Sequence, residues 1–276
     1  MSIKISIIIP TYNRIDLLEK CLDALSPSIQ QETELTYEII VTDDSPNLKT
    51  ADFINLKYPY VTHIKGPQKG PASNRNNGAK KAKGDWLIFI DDDCIPNNNL
   101  IQNYSQEIAK NEFEVLEGKI FTNRPRKFYK EEAPLNLNGN KMWSCNIAIK
   151  KNLFLNLNGF DEDFPFAAME DVDFHYRIKQ QNIPIKFVEN AAVMHPWRNH
   201  PGLQIVSKRQ KSFIYLLKKH PELKKKHNTK WFLINIKNNI VSHIKYFKIT
   251  DIPFVIVRNF LICSLFIKTK LISNTK

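Results

Sequence analysis

Several features that would assign a sequence to a common class of protein are absent from this one. Its 276 residues include only four cysteines, and none of them belongs to a C-x-x-C pair. This excludes a metal site built on paired cysteines, and we expect reduced thiols in a cytoplasmic protein. Residues 1–6 run directly into a predicted strand without signal-peptide architecture, and no internal repeat or low-complexity segment is present.

A long uninterrupted apolar run is also absent. A membrane-spanning helix needs ~20 apolar residues in succession. The longest candidate, residues 252–267, is shorter and is interrupted by Arg258 and Asn259. Because lysines alternate with apolar clusters through residues 201–276, we expect basic amphipathic helices that lie on an anionic membrane surface. A helical bundle packed on the rest of the chain, or a homodimer contact, is the alternative.

The net charge of +12 is unevenly distributed. Residues 201–276 contain 16 lysines and arginines but only two acidic residues, Glu222 and Asp251, so this region carries +14 and residues 1–200 carry −2. Positive charge that avoids the body of the chain argues against a nucleic-acid ligand. We expect two regions with different roles, a body over residues 1–200 and a basic helical extension over 201–276.

The sequence of the body predicts an α/β fold. Short β-branched runs alternate with segments of helical apolar spacing, which predicts a mixed, mostly parallel sheet flanked by helices. Predicted strands cover residues 3–9, 37–41, 61–64, 86–90, 114–121, 143–149, 185–188 and 191–194. Predicted helices cover residues 15–25 and 72–83, and a third runs from residue 169 through 178. Residues 123–140 form a long polar loop of the kind that is often functional.

Polar side chains follow each early strand: Asn13, then Asp43 and Asp44, then the triplet Asp91–Asp93. The carboxyl ends of parallel strands meet at one edge of a sheet, where open α/β folds bind ligands. Carboxylates crowded there repel one another and favour a cation, and oxygen ligands suit Mg²⁺ or Mn²⁺. An acidic, solvated loop is the alternative for the triplet alone.

The pattern resembles the family 2 glycosyltransferases, inverting enzymes of the GT-A (Rossmann-like) fold, over about residues 3 to 198. The resemblance implies a nucleotide-sugar half over about 1–95 and an acceptor half over about 96–200. Five motifs carry it in order: Ser6–Arg14 (SIIIPTYNR), Val41–Ser45 (VTDDS), Gly70–Gly78 (GPASNRNNG), Phe89–Asp93 (FIDDD), and Gly159–Glu162 (GFDE) with Glu170-Asp171.

The resemblance assigns one set of residues to the nucleotide sugar. Asp44 would accept hydrogen bonds from a uracil-like base, whereas Asp43 could instead form an Asx turn. Tyr12 would stack on the base, or simply pack, and Arg75 would offer its guanidinium to base or phosphate oxygens, or remain a surface arginine. The full set is Pro10, Tyr12, Arg14, Asp44, Arg75, Asp91 and Asp92.

A second set is assigned to the metal. Asp93 is the expected ligand of Mn²⁺ or Mg²⁺, which would neutralise the diphosphate leaving group. Asp92 would contact the metal or the ribose, and Asp91 is the more structural member of the triplet. His195 ends a predicted strand and is either a second metal ligand or a buried, satisfied histidine.

A third set is assigned to catalysis and the acceptor. Inversion requires a carboxylate that deprotonates the acceptor hydroxyl, and Asp171 is the candidate base, with Asp173 as the competing choice. Glu170 would raise the pKa of Asp171 by charge repulsion or bind acceptor hydroxyls. An acid-rich helix start is the structural alternative for all three. Trp143 and Asn146 are expected to line the sugar or acceptor pocket.

Together these inferences predict a metal-assisted inverting hexosyltransferase. It would move a sugar from a nucleotide-diphosphate sugar, with UDP expected, to a glycan or lipid-linked acceptor at the inner face of the cell membrane. A nucleotidyltransferase is disfavoured, because Pro10–Arg14 is not a glycine-rich phosphate loop. The remaining alternative is a non-catalytic protein that binds membranes or nucleic acid through its basic extension.

Overall fold

A mixed sheet of eight strands organises the body in this computed structural model, which describes residues 4–30, 35–200, 202–241 and 244–274. The strands are β1 (Ile5–Thr11), β2 (Tyr37–Asp43), β3 (Val61–Lys65), β4 (Trp86–Ile90), β5 (Ile95–Pro96), β6 (Val115–Phe121), β7 (Glu131–Glu132), β8 (Asn146–Lys150), β9 (Ile185–Met194) and β10 (Arg198–Asn199). β7 and β10 pair separately from the main sheet.

Ten α-helices accompany the strands within the described residues. They are α1 (Ile15–Ala24), α2 (Lys49–Lys57), α3 (Pro71–Lys81), α4 (Leu100–Lys110), α5 (Lys151–Asn156), α6 (Glu170–Gln180), α7 (Leu203–Lys219), α8 (Leu223–Lys226), α9 (Thr229–Val241) and α10 (Ile252–Asn274). Two short 3-10 helices, Ile244–Tyr246 and Ile249–Asp251, lie between α9 and α10. The sequence prediction did not include α2 or α4.

The strand order is β3-β2-β1-β4-β8-β6-β9-β5. The first four of these are mutually parallel, as the alternation of strands and helices predicted. β8 runs antiparallel to both of its neighbours, and β9 is parallel to β6. The ends of β1, β2 and β4 therefore meet at one edge of the sheet, where their polar residues follow.

Apolar side chains cover both faces of the sheet. Ile7 and Ile9 of β1 pack on one side with Leu18 of α1, and Ile8 packs on the other. Gly78 lets α3 approach that second face, because a Cβ at Gly78 would lie 2.5 Å from the Ile8 side chain. The core thus places α3 directly against the central strands.

β9 is one ten-residue strand where the sequence predicted two short ones. Its register with β6 shifts between Gly118 and Lys119, so the two predicted runs are the halves on either side of this irregularity. A Cβ at Gly118 would lie 2.2 Å from the Ala191 carbonyl oxygen, which leaves room only for glycine. The strand predicted to begin at Trp143 begins at Asn146, because Asn146 N–H closes a turn onto the Trp143 carbonyl.

The chain divides into two compact units. Unit 1 comprises the described parts of residues 1–123, 134–162 and 170–196, and unit 2 comprises those of 124–133, 163–169 and 197–276. Unit 2 thus contains the expected extension from residue 201 together with residues 197–200 and two segments that the sequence placed in the body, and the predicted boundary at residue 200 stays a prediction. The two halves expected within residues 1–200 stay a prediction.

The apolar run at residues 252–267 is part of a longer helix than the sequence indicated, and the expectation that it lies on a membrane surface stays a prediction. α10 continues through Arg258 and Asn259 without interruption. Residues 249–271 are long and apolar enough to cross a membrane by length and composition alone, and most of this stretch is not buried within the protein.

We predict that Gly118→Ala destabilises the protein by about 1–3 kcal/mol, because the added methyl group overpacks the contact between β6 and β9. Denaturant unfolding measures the change. Leu56→Ala, at a side chain that is 89% exposed, is the matched control and should leave the free energy of unfolding nearly unchanged. Equal stability of Gly118→Ala and the control would contradict this account of the β6–β9 irregularity.

Candidate functional site

The end of β1 is joined to the end of β4 by a buried hydrogen bond. The Thr11 hydroxyl donates to Asp92 Oδ2 over 2.7 Å. The chain then turns at Asn13, whose φ of 51° lies in the left-handed region that asparagine tolerates, and Asn13 N–H donates to Ser45 Oγ over 2.8 Å. The polar residues after β1, β2 and β4 thus form one group, as their positions in the sequence predicted.

Each carboxylate of the acidic triplet has a cationic neighbour. Arg75 donates to Asp91 Oδ1 over 2.5 Å. Arg14 donates through Nε to Asp92 Oδ2 over 3.1 Å and through Nη1 to Asp93 Oδ2 over 3.4 Å. Asp92 is 0% and Asp93 4% exposed, while Asp91 is partly buried, so the alternative of a solvated loop fails. Burial raises the pKa of Asp92 to about 7, although Arg14 and Thr11 oppose the rise.

Asp93 and His195 offer ligands that fit a divalent cation. His195 Nε2 lies 3.4 Å from Asp93 Oδ1, and the ring is fully buried. Its Nδ1 lies 2.8 Å from the Pro196 carbonyl, which can only accept, so Nδ1 carries the proton. In the neutral ring Nε2 then presents a lone pair to the carboxylate, and a carboxylate oxygen with an imidazole nitrogen suits Mn²⁺.

Cys94 is the third member of this group. Ligand atoms of Asp93, Cys94 and His195 all lie within 4.8 Å of one another. A hydrogen bond with Cys145, together with burial, raises the pKa of the Cys94 thiol well above its ordinary value. Because metals bind the thiolate, the oxygen and nitrogen donors are the better ligands here.

Arg75 connects the triplet to the start of α6. Its side chain is almost fully buried, and Nη1 lies 3.7 Å from Glu170 Oε1 while Nη2 holds Asp91. The guanidinium also lies 5.7 Å from the centroid of the Phe160 ring. The alternative of a surface arginine is therefore wrong, and Arg75 links two motifs that are 79 positions apart in the sequence.

The asparagines of α3 fix the position of Arg75, and the sequence analysis assigned them no role. Asn76 donates to the Phe160 carbonyl over 2.7 Å and accepts from Phe160 N–H over 3.0 Å. Asn74 donates to the Thr42 carbonyl over 2.8 Å. An unusually polar helix segment between Gly70-Pro71 and Gly78 was the available signal, because polar residues on a buried helix face need specific partners.

The acids at the start of α6 have different surroundings. Burial raises the pKa of Asp171 to about 7, and the Glu170 carboxylate adds to the rise. Burial also raises the pKa of Glu170, against the effect of Arg75. Asp173 is fully buried and accepts from Arg177 Nε over 2.8 Å, while Arg177 also donates to the Leu157 and Gly159 carbonyls. Asp173 therefore anchors the turn at Gly159, which leaves Asp171 as the better candidate base.

Two carboxylates at the end of β2 hold the neighbouring loops in place through backbone N–H groups. Asp43 Oδ1 accepts from Ser45 N–H over 2.8 Å, which is the Asx turn expected for it. Asp44 accepts from the backbone N–H groups of Gln68 (2.8 Å) and Gly70 (3.2 Å). The assignment of Asp44 to base recognition stays a prediction, since its carboxylate also holds the loop that precedes α3.

The other predicted residues lie in different environments. Pro10 is buried within β1, and Tyr12 is 57% exposed at its end, so stacking of Tyr12 on a base stays a prediction. Trp143 is partly buried and donates to the Leu135 carbonyl over 3.4 Å. The expectation for Asn146 needs correction. It is 1% exposed and its amide is used by Tyr104 and by two backbone carbonyls, so it ties strands together and does not line a pocket.

The sequence itself matches a family model, "Glycosyl transferase family 2", over residues 6–174. This match covers more than half of the chain, which therefore belongs to glycosyl transferase family 2. The resemblance stated from the motifs is confirmed, and the alternatives of a nucleotidyltransferase or a non-catalytic scaffold lose their support.

Curated relatives are between 23% and 37% identical to the chain over the segments that match. An uncharacterized glycosyltransferase of Haemophilus influenzae is 30% identical over 190 residues, which is 64% of this chain and 62% of the relative. The poly(ribitol-phosphate) beta-glucosyltransferase of Bacillus spizizenii is 29% identical, over 64% of this chain and 32% of its own length. The GalNAc(5)-diNAcBac-PP-undecaprenol beta-1,3-glucosyltransferase of Campylobacter jejuni is 37% identical over 33% of this chain and 29% of its own length. The matches thus span less than two thirds of each of these relatives.

Solved structures support the fold. TarS 1–349 of S. aureus in complex with UDP-GlcNAc has a TM-score of 0.59 at 20% identity, covering 93% of this chain and 79% of that one. GalNAc-T7 with UDP, GalNAc and Mn²⁺ has a TM-score of 0.60 at 20% identity, covering 79% of this chain and 48% of that one. The expected GT-A architecture is confirmed by this likeness.

We predict opposite effects on stability for the two neighbouring acids of α6. Asp173→Asn should lower the free energy of unfolding by about 3 kcal/mol, because it leaves the Arg177 guanidinium without its buried counter-charge. Asp171→Asn should leave stability unchanged or higher, because burial already disfavours its ionised form. Denaturant unfolding at pH 8 measures both. Equal losses in the two variants would show that Asp171 is also a structural residue.

Proposed function

We propose that the chain is an inverting glycosyltransferase that moves a sugar from a UDP-sugar to a glycan or lipid-linked acceptor in the synthesis of a cell-surface polysaccharide, at the inner face of the membrane. The observation that carries this proposal is the link through Arg75 between the acidic triplet and the carboxylates of α6. It brings a cation-binding strand end and a candidate base into one site. The relatives from Bacillus spizizenii and Campylobacter jejuni, a poly(ribitol-phosphate) beta-glucosyltransferase and an undecaprenol-linked glycan glucosyltransferase, favour the same substrate classes.

On the donor side, Asp93 and His195 would hold Mn²⁺ or Mg²⁺, which when bound would neutralise the charge of the diphosphate leaving group. Arg14 lies against Asp92 and Asp93 with a side chain that is 40% exposed, so it can turn towards an incoming phosphate. Thr11 keeps Asp92 in place through its hydroxyl. These residues bind and orient the donor.

On the acceptor side, Asp171 would remove the proton from the attacking hydroxyl. A general base works best when its pKa lies near the working pH, and burial together with Glu170 places the pKa of Asp171 at about 7. Glu170 forms an ion pair with Arg75, so Asp171 is the acid that would contact the acceptor hydroxyl. The proton passes to Asp171 as the hydroxyl oxygen attacks the anomeric carbon and the nucleoside diphosphate leaves from the opposite face.

A panel of nucleotide sugars tests the overall proposal. Purified protein is incubated with each donor and Mn²⁺, and release of the nucleoside diphosphate is measured with and without lipid-linked or polyol-phosphate acceptors. We expect release from UDP-sugars, stimulated by acceptor. Absence of release from every donor, with no UDP binding by calorimetry, would remove the proposal.

For the metal, we predict that Asp93→Asn abolishes the dependence of UDP binding on Mn²⁺. The wild type should bind UDP more tightly with Mn²⁺ than with EDTA, and the variant should show equal affinity in both conditions, because a carboxylate ligand is lost. Isothermal titration calorimetry measures the affinities. Asp52→Asn, at an exposed acid of α2, is the control and should retain the metal effect.

For the base, we predict that kcat rises with pH through about pH 7, because Asp171 must lose its proton before it can accept another. Asp171→Asn should keep UDP affinity but lower kcat by about 10²–10⁴-fold.

Glu170→Gln supplies the matched comparison. Removing the neighbouring negative charge should lower the pKa of Asp171, so the acidic limb of the kcat profile should move to lower pH. A profile that is flat in the wild type, or unmoved in Glu170→Gln, would assign proton removal to another group.

A further inference from the structure

α10 presents two rows of side chains on opposite sides. At 100° per residue, positions 254, 258, 261, 265 and 269 share one side, and positions 252, 256, 260, 263, 267 and 271 share the other. The first row is buried or half-buried, and every member of the second row is exposed. We call the second row, Ile252, Ile256, Phe260, Cys263, Ile267 and Leu271, the apolar row.

The first row is committed to contacts within unit 2. The Phe254 ring lies 4.8 Å from that of His200, and Gln210 of α7 donates to the Leu261 carbonyl over 2.7 Å. Arg258 is half-buried on the same side and hydrogen-bonded to the Tyr129 hydroxyl. A membrane-spanning position would break these contacts and move Arg258 into hydrocarbon, which is costly. The length and apolarity of α10 therefore do not make it a span.

The apolar row has no cover within the described residues. Phe260 is 70%, Ile256 62%, Ile267 58% and Leu271 62% exposed, although such side chains are usually buried. The row extends for ~28 Å along the helix. A continuous apolar strip of this length on a protein surface marks an interaction site.

Charge identifies the partner. Lys268 and Lys270 are both exposed, and by helical geometry Lys268 lies beside the apolar row while Lys270 lies at its opposite edge, in line with Ile252. Residues 201–276 as a whole carry +14. A second copy of the chain would bring the same positive charge to the contact and be repelled, whereas an anionic lipid surface attracts the lysines and accepts the apolar row.

We propose that α10 lies flat in the interface of an anionic bilayer, with the apolar row in the acyl boundary and Lys268 and Lys270 at the headgroups. This refines the expected amphipathic extension and specifies which side of which helix enters the lipid. It depends on unit 2 alone and not on the proposed chemistry, so the binding tests below can fail while the transferase assays succeed.

Cys263 provides a native reporter. It is exposed within the apolar row, whereas Cys21, Cys94 and Cys145 are buried, so an environment-sensitive fluorophore should label Cys263 selectively. Cys263→Ser, which should take up no label, checks this. With vesicles that contain phosphatidylglycerol we expect a blue shift and a label depth of ~5–10 Å. Vesicles of phosphatidylcholine alone should give at least a tenfold weaker response.

Depth separates the two membrane arrangements. In a spanning helix Cys263 would lie near the bilayer centre, ~15 Å from either edge of the hydrocarbon core. Lipids that carry quenchers at different depths distinguish this from an interfacial position, and a central label would overturn the flat arrangement. Absence of a blue shift with anionic vesicles would overturn lipid binding. Burial of the label that instead depends on protein concentration would indicate a second copy.

Substitutions test the row itself. Phe260→Asp should weaken partitioning into anionic vesicles at least tenfold in co-sedimentation, because it places a charge in the inserted strip. Leu56→Asp, at an 89% exposed leucine of α2, is the control and should partition like the wild type. Lys268→Glu with Lys270→Glu should weaken binding most at low salt. Wild-type partitioning of Phe260→Asp would exclude the apolar row as the contact.

Discussion

The buried guanidinium of Arg75 is the interaction on which the site depends. A charge that is 4% exposed is stable only beside opposite charges: Asp91 supplies one together with a hydrogen bond, and Glu170 supplies a second at 3.7 Å. Removing such a partner from a buried pair costs about 3–5 kcal/mol. Arg75 therefore fixes the distance between β4, which delivers the acidic triplet, and α6, which delivers Asp171.

The position of Arg75 depends in turn on amides. Asn76 uses both ends of its side chain on the Phe160 backbone, and Gly159 beside it has a φ of +62° with no room for a Cβ next to the amide. On the other side of the same turn, Arg177 donates to the Gly159 carbonyl and pairs with Asp173. The conformation of the Gly159 turn is thus held from α3 and from α6, which connects the packing of two helices to the geometry of the site.

Local patterns predicted the strands, because runs of β-branched residues favour strands. The parallel arrangement that follows from alternating strands and helices then predicted that the strand ends meet. Local patterns also pointed to the acidic triplet, whereas His195 and Asp171 were assigned through the family resemblance, and their roles stay predictions. Local patterns could not separate Asp173 from Asp171, since the difference lies in Arg177 and its partners. Asn146 was misjudged for the same reason: only the folded sheet brings Tyr104 to its amide. Arg258 interrupts the apolar run along the sequence but not in space, because it lies on the packed side of α10.

The charge balance of the site is consistent with the proposed cation. Five carboxylates, those of Asp91–Asp93, Glu170 and Asp171, are accompanied by the guanidinium groups of Arg14 and Arg75. Two positive charges do not neutralise five negative ones, and the pKa values of Asp92 and Asp171, both raised to about 7, express the remaining repulsion together with burial. A dication held by Asp93 and His195 would relieve the donor side of this excess. In the proposed reaction the cation would act on the charge at the triplet, while burial and Glu170 keep the pKa of Asp171 at about 7, which suits a base near neutral pH.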